Sequence, residues 1–215
     1  MTEDLIYKSD LSMNFKFNDY MDYGGKVKRY SDADSPKLFL NESCIHAAMV
    51  IKEILDRATK KSIDIDMFCG AFSLFRESFK QRIDEVKKQM QDEIDIEQKD
   101  DFDSFNPYKD LIDSLKSFFS KDLHLNVVLA KPLENIKNDD NYGFFKDKMG
   151  QGLLSFRLMD VDLGLDHFIV SGDAFRKENS DKERTATCSF NRPEYAAMFR
   201  QTFEGLKSFS SAYSF

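Results

Sequence analysis

A pair of aspartates and the three histidines of this sequence are the side chains that could do chemistry. Asp64 and Asp66 alternate with apolar residues, and paired carboxylates can hold a divalent ion or exchange protons. The same alternation is more typical of a strand with one face open to water, which is the favoured interpretation. His124 begins a predicted strand, His46 lies beside the apolar face of a predicted helix, and neither has a partner at ligand spacing. Both are expected to be structural, which leaves His167.

His167 begins a segment that predicts a β-hairpin. Apolar runs flank Gly172-Asp173, a pair suited to a tight turn with positive φ. Basic residues gather in and after this hairpin: Arg176, Lys177, Lys182, Arg184 and Arg192. Acidic residues are interspersed among them and nearly balance their charge. This balance favours a solvated, salt-bridged hairpin over a nucleic-acid contact.

Several common catalytic and metal-binding motifs are absent from the sequence. It contains no glycine-rich phosphate loop, no nucleophile elbow and no zinc-ligand spacing. Cys44, Cys69 and Cys188 are widely spaced and have apolar neighbours, which predicts reduced, buried thiols over a disulfide framework. We therefore expect no metal and no cofactor.

Composition predicts one globular domain. The chain has 215 residues, of which 41% are hydrophobic, enough to bury a core but few for two full domains. The net charge of -7 disfavours a protein whose whole surface follows a phosphate backbone. No apolar run approaches the roughly 20 residues that cross a bilayer, and residues 1–10 lack the apolar centre of a secretory signal. A cytoplasmic location without membrane association is the expectation.

Strands alternate with helices from residue 41 onward, which predicts an α/β fold. The predicted helices cover about 41–60, 73–96, 107–119, 142–149 and the segment after Asn191, and the predicted strands 62–68, 123–130, 153–158, 167–170, 174–176 and 185–190. Asn41 and Asn191 are expected to cap the helices that follow them, the latter in a capping box with Glu194. Residues 1–40 are predicted to form an arm or hairpin broken at Gly24-Gly25. The segment 91–106 is predicted to be an acidic linker within a domain spanning 41–215.

The order of these elements resembles one half of the phospholipase D-like superfamily. The signature of that superfamily is His-x-Lys followed by Asp, with Ser-x-Asn at the end of the next strand. His167 stands on the expected strand, and Ser189-Phe190-Asn191 looks like the Ser-x-Asn. The resemblance implies a mixed sheet flanked by helices in a single domain. It also implies a homodimer, because single-half members assemble their site across a two-fold axis.

Two positions depart from the signature and make it degenerate. Ile169 stands where the superfamily has lysine, and Ala174 stands where it has aspartate. Active members attack a phosphodiester with histidine, neutralise the phosphorane charge with lysine and protonate the leaving group with a second histidine. Removing one stabilising donor from such a site typically costs a few kcal/mol of transition-state stabilisation. The departures therefore imply that catalysis is lost.

Three interpretations of His167 stay open, in decreasing order of preference. The first is a structural histidine hydrogen-bonded to a neighbour. The second is a phosphate- or nucleotide-binding pocket of His167, Ser189 and Asn191, with Arg176 or Arg184 supplying charge. The third is a working catalytic residue.

The sequence thus favours a catalytically inactive phospholipase D-like domain that acts as a binding or regulatory module. A protein partner is expected, by analogy a nuclease or helicase subunit in a bacterial defence or DNA-repair system. One alternative is a divergent phosphodiesterase or nuclease in which His167 of two subunits converge. Another is an adaptor whose long helix 73–96 pairs with a partner through Ile83 and Val86.

Overall fold

The computed structural model describes residues 15–161, 163–179 and 185–215. Its helices are α1 (Phe17–Asp32), α2 (Cys44–Lys61), α3 (Glu77–Met90), α4 (Lys99–Ser104), α5 (Pro107–Phe119), α6 (Tyr142–Gly150) and α7 (Pro193–Ser208). Its strands are β1 (Phe39–Asn41), β2 (Ile65–Cys69), β3 (Leu125–Leu129), β4 (Leu154–Met159), β5 (Phe168–Ser171), β6 (Ala174–Glu178), β7 (Ala186–Ser189) and β8 (Ser210–Tyr213). The predicted α/β class is confirmed.

All eight strands form one mixed sheet in the order β1-β7-β6-β5-β2-β3-β4-β8. The central strands β2, β3 and β4 are parallel, and every other pairing is antiparallel. Helices connect the parallel strands, as such crossovers require. The predicted hairpin is present between β5 and β6, and its turn residue Gly172 has a φ of 54°. The sheet is therefore an antiparallel ribbon joined to a parallel centre.

Helices cover both faces of the sheet and make two apolar cores. On the first face, which we define by Met67 and Ile169, the sheet packs with α1, α2, α3 and α5. On the second face, defined by Phe68 and Phe168, it packs with α7. Successive residues of each strand alternate between the two cores because side chains of a strand point to opposite faces. The buried residues predicted for the last helix are confirmed: Ala196, Phe199, Phe203 and Leu206.

The first described segment is a helix, so the predicted arm or hairpin is wrong for residues 17–32. Phe17, Tyr20 and Val27 are buried along one side of α1, which packs on α2. The predicted break at Gly24-Gly25 is also wrong, since both glycines lie within α1. A side chain at Gly24 would approach Met49 to 3.4 Å, so glycine suits the close contact between α1 and α2. Residues 1–14 lie outside the described part.

The acidic segment 91–106 is also structured, which corrects the prediction of a linker. The helix that was expected to reach residue 96 ends at Met90, and short helical turns and α4 follow. Phe102 of α4 is buried against Phe17, with ring centroids 5.4 Å apart. Aromatic packing therefore holds this acidic segment to α1.

The adaptor hypothesis is wrong in its choice of residues. Ile83 is 0% and Val86 7% exposed, because both face this chain's own core. They cannot also pair with a partner helix.

Within the described ranges, the helices are too short or too polar to cross a bilayer.

Candidate functional site

His167 lies immediately before β5, beside the carboxyl end of β2. The register that pairs Phe168 with Phe68 sets this position. A Cβ atom added to Gly70 would lie 3.2 Å from Cε1 of His167, so the imidazole occupies the space that a side chain at position 70 would need. The His167 side chain is 30% exposed. It is therefore packed on one side and reachable from solvent on the other.

The turn after β2 is fixed by an unusual backbone conformation. Phe72 has a φ of 55°, in the left-handed region that bulky residues rarely adopt. Its side chain is fully buried, with ring centroids 5.0 Å from Phe75, 5.3 Å from Phe145 and 4.9 Å from Phe156. This aromatic packing holds the strained turn, and with it Gly70, in place beside His167.

Glu178 is the direct partner of His167. The β5–β6 hairpin aligns the two residues, and the Glu178 backbone N–H donates to the His167 carbonyl oxygen at 2.9 Å. Nδ1 of His167 lies 3.0 Å from Oε2 of Glu178, a hydrogen bond in which the imidazole donates to the carboxylate. This bond fixes the orientation of the ring and leaves Nε2 as its other polar atom.

Arg176 completes a polar network on the first face. Its Nη1 lies 3.1 Å from Oε1 of Glu178, and its Nε donates to Oδ1 of Asn41 at 2.8 Å. Burial raises the pKa of Glu178, but the His167 hydrogen bond and the Arg176 charge outweigh it and lower that pKa to about 2. The Arg176 side chain is only 7% exposed. Its charge is therefore buried, paired with an ionised carboxylate and held in place.

The two positions that depart from the superfamily signature are buried hydrocarbon. Ile169 is 3% and Ala174 0% exposed, and both belong to the first-face core. Arg176 is the cross-strand neighbour of Ile169. A cation is thus present one strand away from the position expected for lysine, but it is already paired with Glu178.

Ser189 and Asn191 do not join this network. Ser189 pairs with Phe175, whose side chain faces the second core. Phe175 lies three residues along β6 from Glu178, a separation of roughly 10 Å. Asn191 donates from Nδ2 to the carbonyl oxygen of Asp34 at 2.9 Å. Successive strands of an antiparallel ribbon end at opposite edges, so the end of β7 cannot lie beside the start of β5. A pocket of His167, Ser189 and Asn191 is therefore not formed within one chain.

Neither Asn191 nor Asn41 caps the helix that follows it. Arg184 lies outside the described residues. Helix α7 begins at Pro193 with Arg192 at the N-cap, so the predicted capping box of Asn191 and Glu194 is wrong. Asn41 does not cap α2 either, since Ser43 does so by accepting from His46 N–H at 3.1 Å.

Sequence reasoning missed Glu178 and Asn41. A countable signal existed for Glu178: His167 lies five residues before Gly172 and Glu178 five residues after Asp173, so a tight turn must bring them together. Alternation also places Arg176 and Glu178 on one face of their strand. Asn41 could not be found in this way, because its contact with Arg176 spans 135 residues.

The other candidate residues have structural partners. Oδ1 of Asp66 accepts from Nδ2 of Asn126 at 3.0 Å, and Asp64 lies 3.3 Å from Nδ1 of His124. No group of three or more potential metal-ligating residues occurs in the part of the chain that is described. The three cysteines are buried thiols, as predicted, and burial raises the pKa values of Cys69 and Cys188 to about 12.

Solved structures that are similar to this chain include an archaeal chromatin protein and a phospholipase D family member. TrmBL2, an archaeal chromatin protein whose structure shows a novel mode of DNA binding, matches with a TM-score of 0.44 and 11% identity over 86% of this chain and 57% of its own. Nuc, a phospholipase D family member from Salmonella typhimurium, matches with a TM-score of 0.45 and 12% identity over 84% of this chain and 100% of its own. This chain thus spans little more than half of TrmBL2. No protein-family model matches the sequence, and neither does any curated protein.

Proposed function

We propose that this chain is a binding or regulatory module with a phospholipase D-like fold and no phosphodiesterase activity. The observation that carries the proposal is the internal pairing of Arg176 with Glu178 beside His167. A phosphoryl-transfer site needs uncompensated positive charge where negative charge develops. Here the guanidinium is buried and already neutralised, and Ile169 supplies hydrocarbon where the superfamily signature has lysine. An incoming phosphate would also meet the Glu178 carboxylate.

A partner is part of this proposal. The module would act as a homodimer, as the resemblance to single-half superfamily members implies. It would also bind a second protein that acts in the same pathway as this chain. A nuclease or helicase subunit in a bacterial defence or DNA-repair system fits that description by analogy. Light scattering on the purified chain tests the dimer, since a monomeric mass at all accessible concentrations would contradict it.

One observation favours a second function, a divergent phosphodiesterase or nuclease. His167 donates Nδ1–H to a carboxylate, and a carboxylate-oriented imidazole is a common arrangement for a nucleophile or general base. One chain supplies a single such imidazole at this site, because the other carboxylate-paired histidine of the described residues, His124, lies beside Asp64 at the opposite end of β2. Leaving-group protonation would require His167 of a second subunit.

Hydrolysis assays distinguish the two functions. Purified protein is incubated with single- and double-stranded DNA, RNA and a chromogenic phosphodiester. His167→Ala and His124→Ala are compared in parallel. His124 is the control because its side chain is half exposed and it lies beside the start of β2, at the opposite end of that strand from this site. We expect no turnover in any sample. Turnover that disappears only in His167→Ala would establish the enzyme and overturn the inactive module.

A further inference from the structure

The two donors of the His167 site converge on one carboxylate. Nδ1 of His167 and Nη1 of Arg176 each bind a different oxygen of Glu178, at 3.0 and 3.1 Å. Other contacts fix both donors: Gly70 packs on the imidazole, and Asn41 accepts from Nε of the guanidinium. Their positions are therefore set by the fold, and a ligand would find them already aligned.

The carboxylate of Glu178 lies where an external anion would bind. The Glu178 side chain is 31% and that of His167 30% exposed, while Arg176 lies behind them at 7%. Phosphate and sulfate can bridge two donors with two of their oxygens, as this carboxylate does. Without the Glu178 carboxylate, the Arg176 guanidinium and the His167 N–H would face the vacated space with no anion between them.

We infer that His167 and Arg176 form an oxyanion-binding site which Glu178 fills from within the chain. Glu178 is then a specificity-determining residue that keeps phosphate and sulfate out. This inference rests on the proposed function, in which Glu178 pairs with Arg176 beside His167 and neutralises its charge. It goes beyond that function by naming the ligand class that the surface excludes and the residue responsible.

The test compares two substitutions at one position. Glu178→Ala empties the anion position, whereas Glu178→Gln keeps it filled with a group of the same shape. Binding of inorganic phosphate and of sulfate is measured by titration calorimetry at constant ionic strength, with chloride as the reference salt. We expect Glu178→Ala to bind phosphate about tenfold or more tightly than the parent, because two charge-assisted hydrogen bonds become available. Glu178→Gln should show no such gain, and adding Arg176→Met to Glu178→Ala should abolish it.

Two outcomes with a folded Glu178→Ala variant overturn the inference. A folded Glu178→Ala variant that binds no phosphate would show that the two donors do not form an anion site. Equal binding by the parent and Glu178→Ala would show that Glu178 excludes nothing. If Glu178→Ala fails to fold in chloride, folding restored by phosphate supports the inference, and failure in both salts contradicts it. These results are independent of the hydrolysis assay, which compares the turnover of the parent with that of His167→Ala and uses no variant of Glu178.

Discussion

His46 in α2 and His167 before β5 have sharply different surroundings. His46 is 2% exposed and stacks on Tyr23 with ring centroids 3.8 Å apart. Its Nδ1 accepts from Glu42 N–H at 3.3 Å, and its Nε2 has no hydrogen-bond partner within the described structure. His167, in contrast, is partly exposed and donates to Glu178.

The neighbours of a histidine, more than its position in the sequence, therefore determine whether its role is structural or ligand-binding. Burial lowers the pKa of His46 to about 4, against a small opposing effect of Asp19, so this imidazole is neutral and serves as an aromatic ring that joins α1 to α2. His167 has an ionised carboxylate as its partner and access to solvent. Of these two histidines, His167 is therefore the one placed to meet a ligand.

The largest expected effect comes from breaking the charged pair behind His167. Arg176→Met leaves Glu178 without its cation and should lower the free energy of unfolding by about 3 kcal/mol, measured by urea denaturation. Lys177→Met is the matched control on the same strand, because its ion pair with Asp166 is more exposed and should contribute less than about 1 kcal/mol. Equal losses in both variants would mean that the buried network adds no stability of its own.

Acid should lower the stability of the protein through His46. The folded-state pKa of His46 is about 4, below the ordinary value of 6.5, so the unfolded chain takes up a proton first. Stability is then fully present above pH 6.5 and is lost as the pH falls toward 4. We expect a loss of about 2 kcal/mol between pH 8 and pH 5.

The matched variant for this acid effect is His46→Phe, which keeps a ring beside Tyr23 but cannot titrate. Its stability should stay nearly constant over the same range. The contribution of Glu178 is lost only below about pH 4.5, because its folded-state pKa is about 2. A parent protein as stable at pH 5 as at pH 8 would show that His46 is not buried in its neutral form.

A smaller effect is expected at the glycine that supports His167. Gly70→Ala places a methyl group 3.2 Å from the imidazole and should lower stability by about 1 kcal/mol. Gly143→Ala in α6 has no atom within 4 Å and should raise stability by up to about 1 kcal/mol through helix propensity. Thermal unfolding of both variants gives the comparison, and two stabilised proteins would contradict the close contact.

The smallest effect concerns the third histidine. His124 and Asp64 are both about half exposed, at 50% and 51%. His124→Gln should therefore change the free energy of unfolding by about 0.5 kcal/mol or less in urea. A larger loss would place His124 with His46 as a histidine with a structural role.

Much of the fold could be predicted because its signals are local. The alternation in β2, the apolar run of β3 and the spacing of Phe199 and Phe203 in α7 reflect which face of each element is buried. Element ends were less predictable. Helix α3 ends at Met90, before the predicted residue 96, and α7 begins at Pro193 with Arg192 at the N-cap. Arg192 donates to the carbonyl oxygen of Pro36, a contact with a distant segment that the local sequence does not show.

The α/β class, the β5–β6 hairpin and the aliphatic residue at position 169 can be predicted from the sequence, since they follow from neighbouring residues and short turns. The charges that surround His167 depend on how distant segments come together in the fold. Glu178 reaches it through the hairpin, Arg176 through its strand face, and Asn41 through the antiparallel pairing of β1 with β7. Strand order in a sheet depends on packing between distant segments, and local patterns carry no record of it.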